Sequence, residues 1–260
     1  MSAQDPWAHL KRFTDARIGL GRSGAAMPTR EVLDFTFAHA MARDAVTTPL
    51  DWSEIEKSLS ALGLKTLRVS SAVQDRAEYL RRPDLGRRLS PSSRQALVDH
   101  SHTQSPKPDV VVVVGDGLSS KGVSANIAAY LASLSPFVKN NAWHLGPVVL
   151  AHNARVALGD EIGEVLGAKA IVVLIGERPG LSSPDSLGAY LTFAPRVGLK
   201  DADRNCISNI RVRGLAYDEA AFKLAWLLEH AFKRQLTGVT LKDEADYRAH
   251  LASENARQLR

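Results

Sequence analysis

Val110 to Val114 is an unbroken run of five valines. β-Branched side chains at every position suit a strand buried on both faces, the situation of a parallel sheet covered by helices on each side. A half-exposed strand or a surface helix would need polar residues at a regular interval. The run stops at Gly115-Asp116-Gly117-Leu118-Ser119-Ser120, and helical spacing follows, with Val123, Ile127, Tyr130, Leu131 and Leu134 on one face as far as Pro136. The alternation then repeats. Pro147 to Ala151 reads as a strand, Asn153 as the N-cap of a helix closing at Gly167, and Ala170 to Ile175 as a further strand. Tyr190 to Phe193 and a run opening at Cys206 are two more β candidates. A last helix from Asp218 buries Ala221, Leu224, Ala225, Leu228 and Phe232 and ends at Gly238. This order predicts an α/β fold: a Rossmann-like, mostly parallel sheet with flanking helices and right-handed crossovers.

Ahead of the valine run the text is different. Residues 1–105 read as a mainly helical N-terminal region. Thr29 is placed as an N-cap after Pro28, and Val32, Leu33, Phe35, Phe37 and Met41 give a broad apolar face through Val46. A second helix covers Ser53 to Leu62 and stops at Gly63, Lys65 to Ser70 is a short strand candidate, and Ala72 to Leu80 is another helix. Pro83 to Pro108 is polar and proline-punctuated, with a helix near Ser93 to His100, and marks a boundary. The expected division is therefore 1–105, a Rossmann-like domain over 106–242, and a charged tail over 243–260, in part a frayed helix.

Composition removes several classes. The chain has 260 residues, 45% hydrophobic and 23% charged, with no apolar run of the roughly 18 residues a membrane span needs. The opening MSAQDPWAHLKRF has no apolar signal core, so a cytoplasmic protein is expected, and a single cysteine is consistent with a reducing compartment. A formal charge of +5 comes from scattered basic residues without interleaved aromatics, which argues against nucleic acid.

The motifs that could carry chemistry are few. Gly115-Asp116-Gly117 follows a strand and precedes a helix, but a dinucleotide loop needs glycine where Ser120 stands, and no phosphate-loop lysine is present. A stand-alone nucleotide-binding module is thus the weaker reading, and a tight strand-to-helix turn the plainer one. Neither zinc spacing nor a serine-hydrolase elbow occurs, so no metal ligand and no catalytic residue is assigned. Cys206, as a lone cysteine, is by default a small buried hydrophobe. Glu177 and Arg178 stand just past the end of a strand, where open α/β sheets hold their ligands. They can form a structural ion pair, or the carboxylate can accept hydrogen bonds from a ligand's amides.

Five segments in order resemble one family. They are Thr14 to Val46, Asp116-Gly117-Leu118-Ser119, Asn153 to Asp160 (NARVALGD), Leu174 to Leu181 (LIGERPGL) and Arg204 to Ile210 (RNCISNI). Together they resemble the small subunit of ethanolamine ammonia-lyase, over nearly the whole chain up to about Asp243. The resemblance implies a lyase that converts ethanolamine to acetaldehyde and ammonia by a radical mechanism with adenosylcobalamin. It implies a TIM-barrel large subunit carrying most of the substrate site, and a small subunit that completes the cobalamin site without turnover of its own. Cofactor contacts carry over to Val156, Glu177 and Cys206. No D-x-H-x-x-G signature occurs, which implies a base-on cofactor with no cobalt ligand from this chain. The N-terminal region is expected to pack on the large subunit, and the hetero-oligomer to lie in the cytoplasm or within a bacterial microcompartment. Val156 is placed in the first turn of its helix, and neighbouring sheet ends are expected to gather the three residues at one rim.

Overall fold

A computed structural model of the protein describes residues 7–258. The first six residues of the opening used for the cytoplasmic expectation, and residues 259–260 of the tail, lie outside the described residues. In chain order the elements are α1 (Thr29–Thr47), α2 (Trp52–Ala61), β1 (Thr66–Ser70), α3 (Arg76–Arg81), α4 (Pro91–Thr103), β2 (Val110–Gly115), α5 (Ser120–Asn140) and β3 (Val148–His152). They continue with α6 (Leu158–Leu166), β4 (Ala170–Gly176), β5 (Leu187–Phe193), β6 (Asn205–Ile210), α7 (Tyr217–Arg234) and α8 (Tyr247–Gln258).

One six-stranded sheet runs β1-β3-β2-β4-β5-β6. The first four strands in that order are parallel, as the valine run requires, and all five valines are buried. β5 is antiparallel to β4, and β6 antiparallel to β5, so the sheet is mostly rather than wholly parallel. The strand read at Lys65 to Ser70 forms the edge of this same sheet, paired to β3.

Alternate side chains of each strand build two core layers. Val110, Val112, Val114, Val172, Leu174, Ala189 and Ile207 face α2, α5 and α7. Val111, Val113, Val149, Ile171, Val173 and Ile175 face α4 and α6. Burial of this kind contributes about 25 cal/mol per Å² of apolar surface, which makes the two layers the main source of stability. The helices that pack on β5 and β6 are α5 and α7, both on the first side.

Several local expectations are corrected. Thr29 is the first helical residue and Pro28 the cap position, with no side-chain cap bond. α3 starts at Arg76 because Asp75 is extended and its carboxylate caps Glu78 N. α4 is longer than read, since Ser90 caps Ser93 N and Pro91 sits at the first turn, where its missing N–H costs nothing. α5 runs through Pro136 instead of stopping before it. The helical bond lost there is outweighed by the packing of Phe137 and Val138, the two residues that follow. Asn153 is no N-cap: it takes a left-handed φ of 51°, and α6 begins five residues later without a side-chain cap. Gly167 does close that helix, with φ 66°. α7 ends at Arg234, before Gly238, where Gln235 turns left-handed, and Phe232 is only partly buried. The apolar side chains of α1 stay largely in the open: Ala45 is its one buried residue, while Leu33 is 63% and Phe37 68% exposed.

Candidate functional site

Two interlocked loops shape the carboxyl end of the sheet. Gly117 has φ +57°, and a Cβ there would collide with the Gly176 carbonyl; a Cβ on Gly176 would in turn collide with the Ser119 carbonyl. Only glycines permit this approach, which lets Leu118 N donate to Gly176 O at 2.9 Å. The β2–α5 loop is thereby locked onto the segment that carries Glu177.

Asp116 organises the same end from within. Its carboxylate accepts from Gly117 N at 3.0 Å, Asn153 N at 3.1 Å and Ala154 N at 3.0 Å, and lies 3.5 Å from the Arg76 guanidinium. Burial pushes this carboxyl up, against the pull of Arg76 and the three amides. Arg76 also donates to Val46 O and Gly117 O, tying the end of α1 to the loop. Tyr79 donates to Ala154 O at 3.0 Å and carries the Arg155 and Arg76 guanidinium groups 4.2 and 4.7 Å from its ring. Burial holds its phenol at about 12. The amides of Gly117 and Gly122, which a bound phosphate would need, are already taken by Asp116 and the Ser119 hydroxyl. That speaks against the nucleotide-loop reading.

Val156 follows directly on this scaffold. It lies on the turn leading into α6, two residues before the helix, not in its first turn. Its carbonyl accepts from Gly159 N at 3.0 Å, and its half-buried side chain borders the core layer under α6, as does Tyr190.

Glu177 comes from the other loop. Its N–H donates to Ser186 O, and its carboxylate accepts from Asn209 N at 3.1 Å, so it bridges the β4 end to the β6 end. No ion pair joins it to Arg178 among the described residues. The side chain lies across Gly188: a Cβ there would stand 3.0 Å from Glu177 Oε1 and 3.1 Å from the Tyr190 ring.

Cys206 pairs in register with Tyr190, which sets the thiol and the phenol side by side on one face of the two strands. The cysteine is exposed, which corrects its expectation as a buried hydrophobe. Ile207 takes the inward position of β6, so Cys206 points to the opposite side, where α5 and α7 do not reach. Desolvation, followed by the Glu177 charge, still raises its thiol, with the Tyr190 phenol opposing. Tyr190 is raised too, first by burial and then by Cys206. Glu177 and Cys206 are thus electrostatic neighbours across Tyr190, a residue that the sequence marked only as the start of a β run.

Arg204 and Asp160 join the Val156 turn to this strand. Arg204 Nη1 lies 2.5 Å from Asp160 Oδ1, with both side chains only 2–3% exposed, and Nη2 donates to Leu199 O. Burial pushes the Asp160 carboxyl up and Arg204 draws it down. Asp160 is on the first turn of α6, and Arg204 stands two residues before Cys206, so one buried ion pair fixes two of the three residues to each other's elements. Both belong to motifs legible in the sequence, yet nothing there paired them. Beside them opens a cleft of about 560 Å³, lined by Arg87, Arg88, Arg155, Val156, Lys200 and Arg204 among others. Among the described residues no group of three or more His, Cys, Asp or Glu is set to hold a metal, and no helix is long and apolar enough to cross a membrane.

The layout of the chain has close counterparts. The family model described as ethanolamine ammonia-lyase light chain (EutC) matches residues 4–242. An ethanolamine ammonia-lyase small subunit of Pseudomonas fluorescens is 53% identical over 241 residues, covering 93% of this chain and 87% of its own. Proteins of the same description from Pseudomonas aeruginosa and Rhodopseudomonas palustris are 52% and 54% identical, covering 95% and 94% of this chain and 91% and 92% of theirs. With a match that takes in every site residue described above, the chain belongs to the ethanolamine ammonia-lyase light-chain family.

Proposed function

We propose that this chain is the small subunit of an adenosylcobalamin-dependent ethanolamine ammonia-lyase, which converts ethanolamine to acetaldehyde and ammonia. It closes one wall of the cobalamin site, and a larger TIM-barrel subunit supplies the other wall and most of the substrate site. The observation that carries this reading is the side of β5 and β6 turned away from α5 and α7, where Glu177 and the exposed Cys206 flank the half-buried Tyr190.

The residues fit the group. A corrin ring is broad, apolar on its faces and rimmed with amide side chains. It needs a flat surface with a few acceptors and donors, not a deep pocket. A twisted two-strand face with an exposed thiol, a phenol and a carboxylate offers that, with Val156 as an apolar contact at its border. Glu177 Oε1, opposite the oxygen held by Asn209 N, is the acceptor for an amide N–H. When bound, adenosylcobalamin would supply the radical chemistry. This chain binds and orients it and excludes water. It would supply no catalytic residue and no cobalt ligand.

The N-terminal region, 1–105, is the part we assign to contact with the large subunit. The exposed Leu33, Phe35 and Phe37 of α1, with Phe13 and Met27 nearby in sequence, supply apolar surface of the kind a subunit contact covers. Residues 106–242 form the cobalamin-binding domain and 243–260 the tail. The complex is placed in the cytoplasm or a bacterial microcompartment. The test is reconstitution: this chain and the large subunit, purified together, release acetaldehyde from ethanolamine, and neither does so alone. Full turnover by the large subunit without this chain would overturn the proposal.

A further inference from the structure

We infer that Arg76 is a positioning residue that relays the docking of α1 on the large subunit into the turn ahead of α6; this rests on the subunit contact proposed above. The helix is held at one end. Ala45, near its C-terminus, is its one buried residue, and the apolar side chains of its outer part, Leu33 and Phe37 among them, stand in the open. Helices in proteins draw most of their stability from a packed face, and α1 has no fully buried side chain ahead of Ala45. Its inner end is tied twice. Arg76 donates to Val46 O from Nε at 3.1 Å and from Nη2 at 2.9 Å, and Ser120 Oγ donates to Thr48 O at 2.6 Å. An arm fixed at one end passes any load on its free face to the groups that fix it.

The two ties lead to different places. Ser120 opens α5, which packs into one core layer. Arg76 reaches the other loops. Its Nη1 donates to Gly117 O at 2.8 Å and lies 3.5 Å from Asp116 Oδ2. That oxygen accepts from Asn153 N at 3.1 Å, and Asp116 Oδ1 accepts from Gly117 N and Ala154 N, both at 3.0 Å. Leu118 N, next along, donates to Gly176 O at 2.9 Å. One guanidinium and one carboxylate thus connect the end of α1 to the backbone at 153–154. A contiguous network of this kind is a physical route for coupling.

The shape of the side chain matters as well as its charge. The Arg76 and Asp116 side chains are 26% and 12% exposed, so water screens the pair less than it would a surface pair. A planar fork holds both carbonyls in one fixed geometry, which an ammonium, as a point charge, does not. The Tyr79 ring, 4.7 Å from the guanidinium, restrains the fork from turning.

Hydrogen–deuterium exchange tests this, read by mass spectrometry on the chain alone and on the two-subunit complex without cobalamin. Docking should slow exchange along α1. It should also slow the peptides covering residues 116–120 and 152–157, by at least about 5-fold, the low end of ordinary coupling between sites. With Arg76→Met, α1 should still slow on docking, while those two peptides should exchange alike in the free and docked chain. Arg76→Lys keeps the charge beside Asp116 and should show the same loss; it carries the test if circular dichroism finds the methionine variant unfolded. Ser120→Ala cuts the other tie and should leave the slowing intact. A merely structural Arg76 would alter the two peptides equally in both states and preserve the difference on docking, which would overturn the inference. Slowing of 152–157 that persists in both Arg76 variants would mean that the large subunit covers the turn directly, and would overturn it too. Slowing along α1 with none at 116–120 or 152–157 in the unaltered chain would refute the relay and leave the subunit contact standing. No slowing along α1 would remove the contact itself, and the relay with it.

Discussion

Substituting Asp160 by Ala should be among the most damaging single changes in the α/β domain. The Arg204 guanidinium would remain 2% exposed with its carboxylate partner gone, left with the Leu199 carbonyl, a long contact to Thr192 Oγ1 at 3.4 Å, and Asp201 at 3.6 Å. Breaking a buried pair by removing one partner costs about 3–5 kcal/mol. Asp201 is 97% exposed and screened by water, so it offsets only a little, which places the loss near ~3 kcal/mol. At about 2–4 °C per kcal/mol for a chain of this size, Tm should fall by roughly 6–12 °C. Thermal unfolding followed by circular dichroism measures it. Replacing both partners with apolar residues, Asp160→Leu with Arg204→Met, should recover more than half of the loss, because no charge is then stranded. A fall in Tm below about 3 °C for Asp160→Ala, or a double variant no better than the single one, would refute the reasoning.

Other consequences are open to measurement. Raised by its surroundings, the Cys206 thiol stays protonated at neutral pH, and since the thiolate is the nucleophile, iodoacetamide should label it slowly there and faster as pH climbs past 9.0. Glu177→Gln removes a negative neighbour, lowers that thiol, and should speed labelling at pH 8; an unchanged rate would separate the two residues. Gly188→Ala puts a methyl 3.0 Å from Glu177 Oε1, and should weaken cobalamin binding by the two-subunit complex several-fold while leaving the unfolding midpoint within a few degrees; retained affinity would remove Glu177 from the site. Asp116→Asn cannot accept all three amide bonds and should cost about 3 kcal/mol in denaturant unfolding, with a wild-type midpoint counting against its organising role.

The strands and most helices could be read from the chain because burial on two faces leaves an uninterrupted apolar record, as at Val110–Val114. The reversal of β5 left a signal that periodicity does not capture. Only the ten residues from Glu177 to Ser186 join β4 to β5, too few for the helical crossover a parallel neighbour requires. Pro136 reads as a stop on local propensity alone, but the packing of Val138 carries the helix through it. Asn153 is a related case: its residue type suits a cap, but Asp116, far away in sequence, fixes it as a left-handed turn. The motif residues Glu177 and Cys206 were visible, yet their closeness across Tyr190 depends on Gly188 and on a two-strand register. The Arg204–Asp160 pair spans 44 residues and left no trace in either segment alone.

The most direct measurement is the structure of the two-subunit complex with cyanocobalamin bound. The corrin ring should lie against the outer face of β5 and β6, in van der Waals contact with Val156 and Cys206, with an amide of its rim on the Glu177 carboxylate. A ring seated elsewhere, with that face of the sheet in solvent or buried by the large subunit alone, would contradict the assignment of these three residues to the cobalamin site.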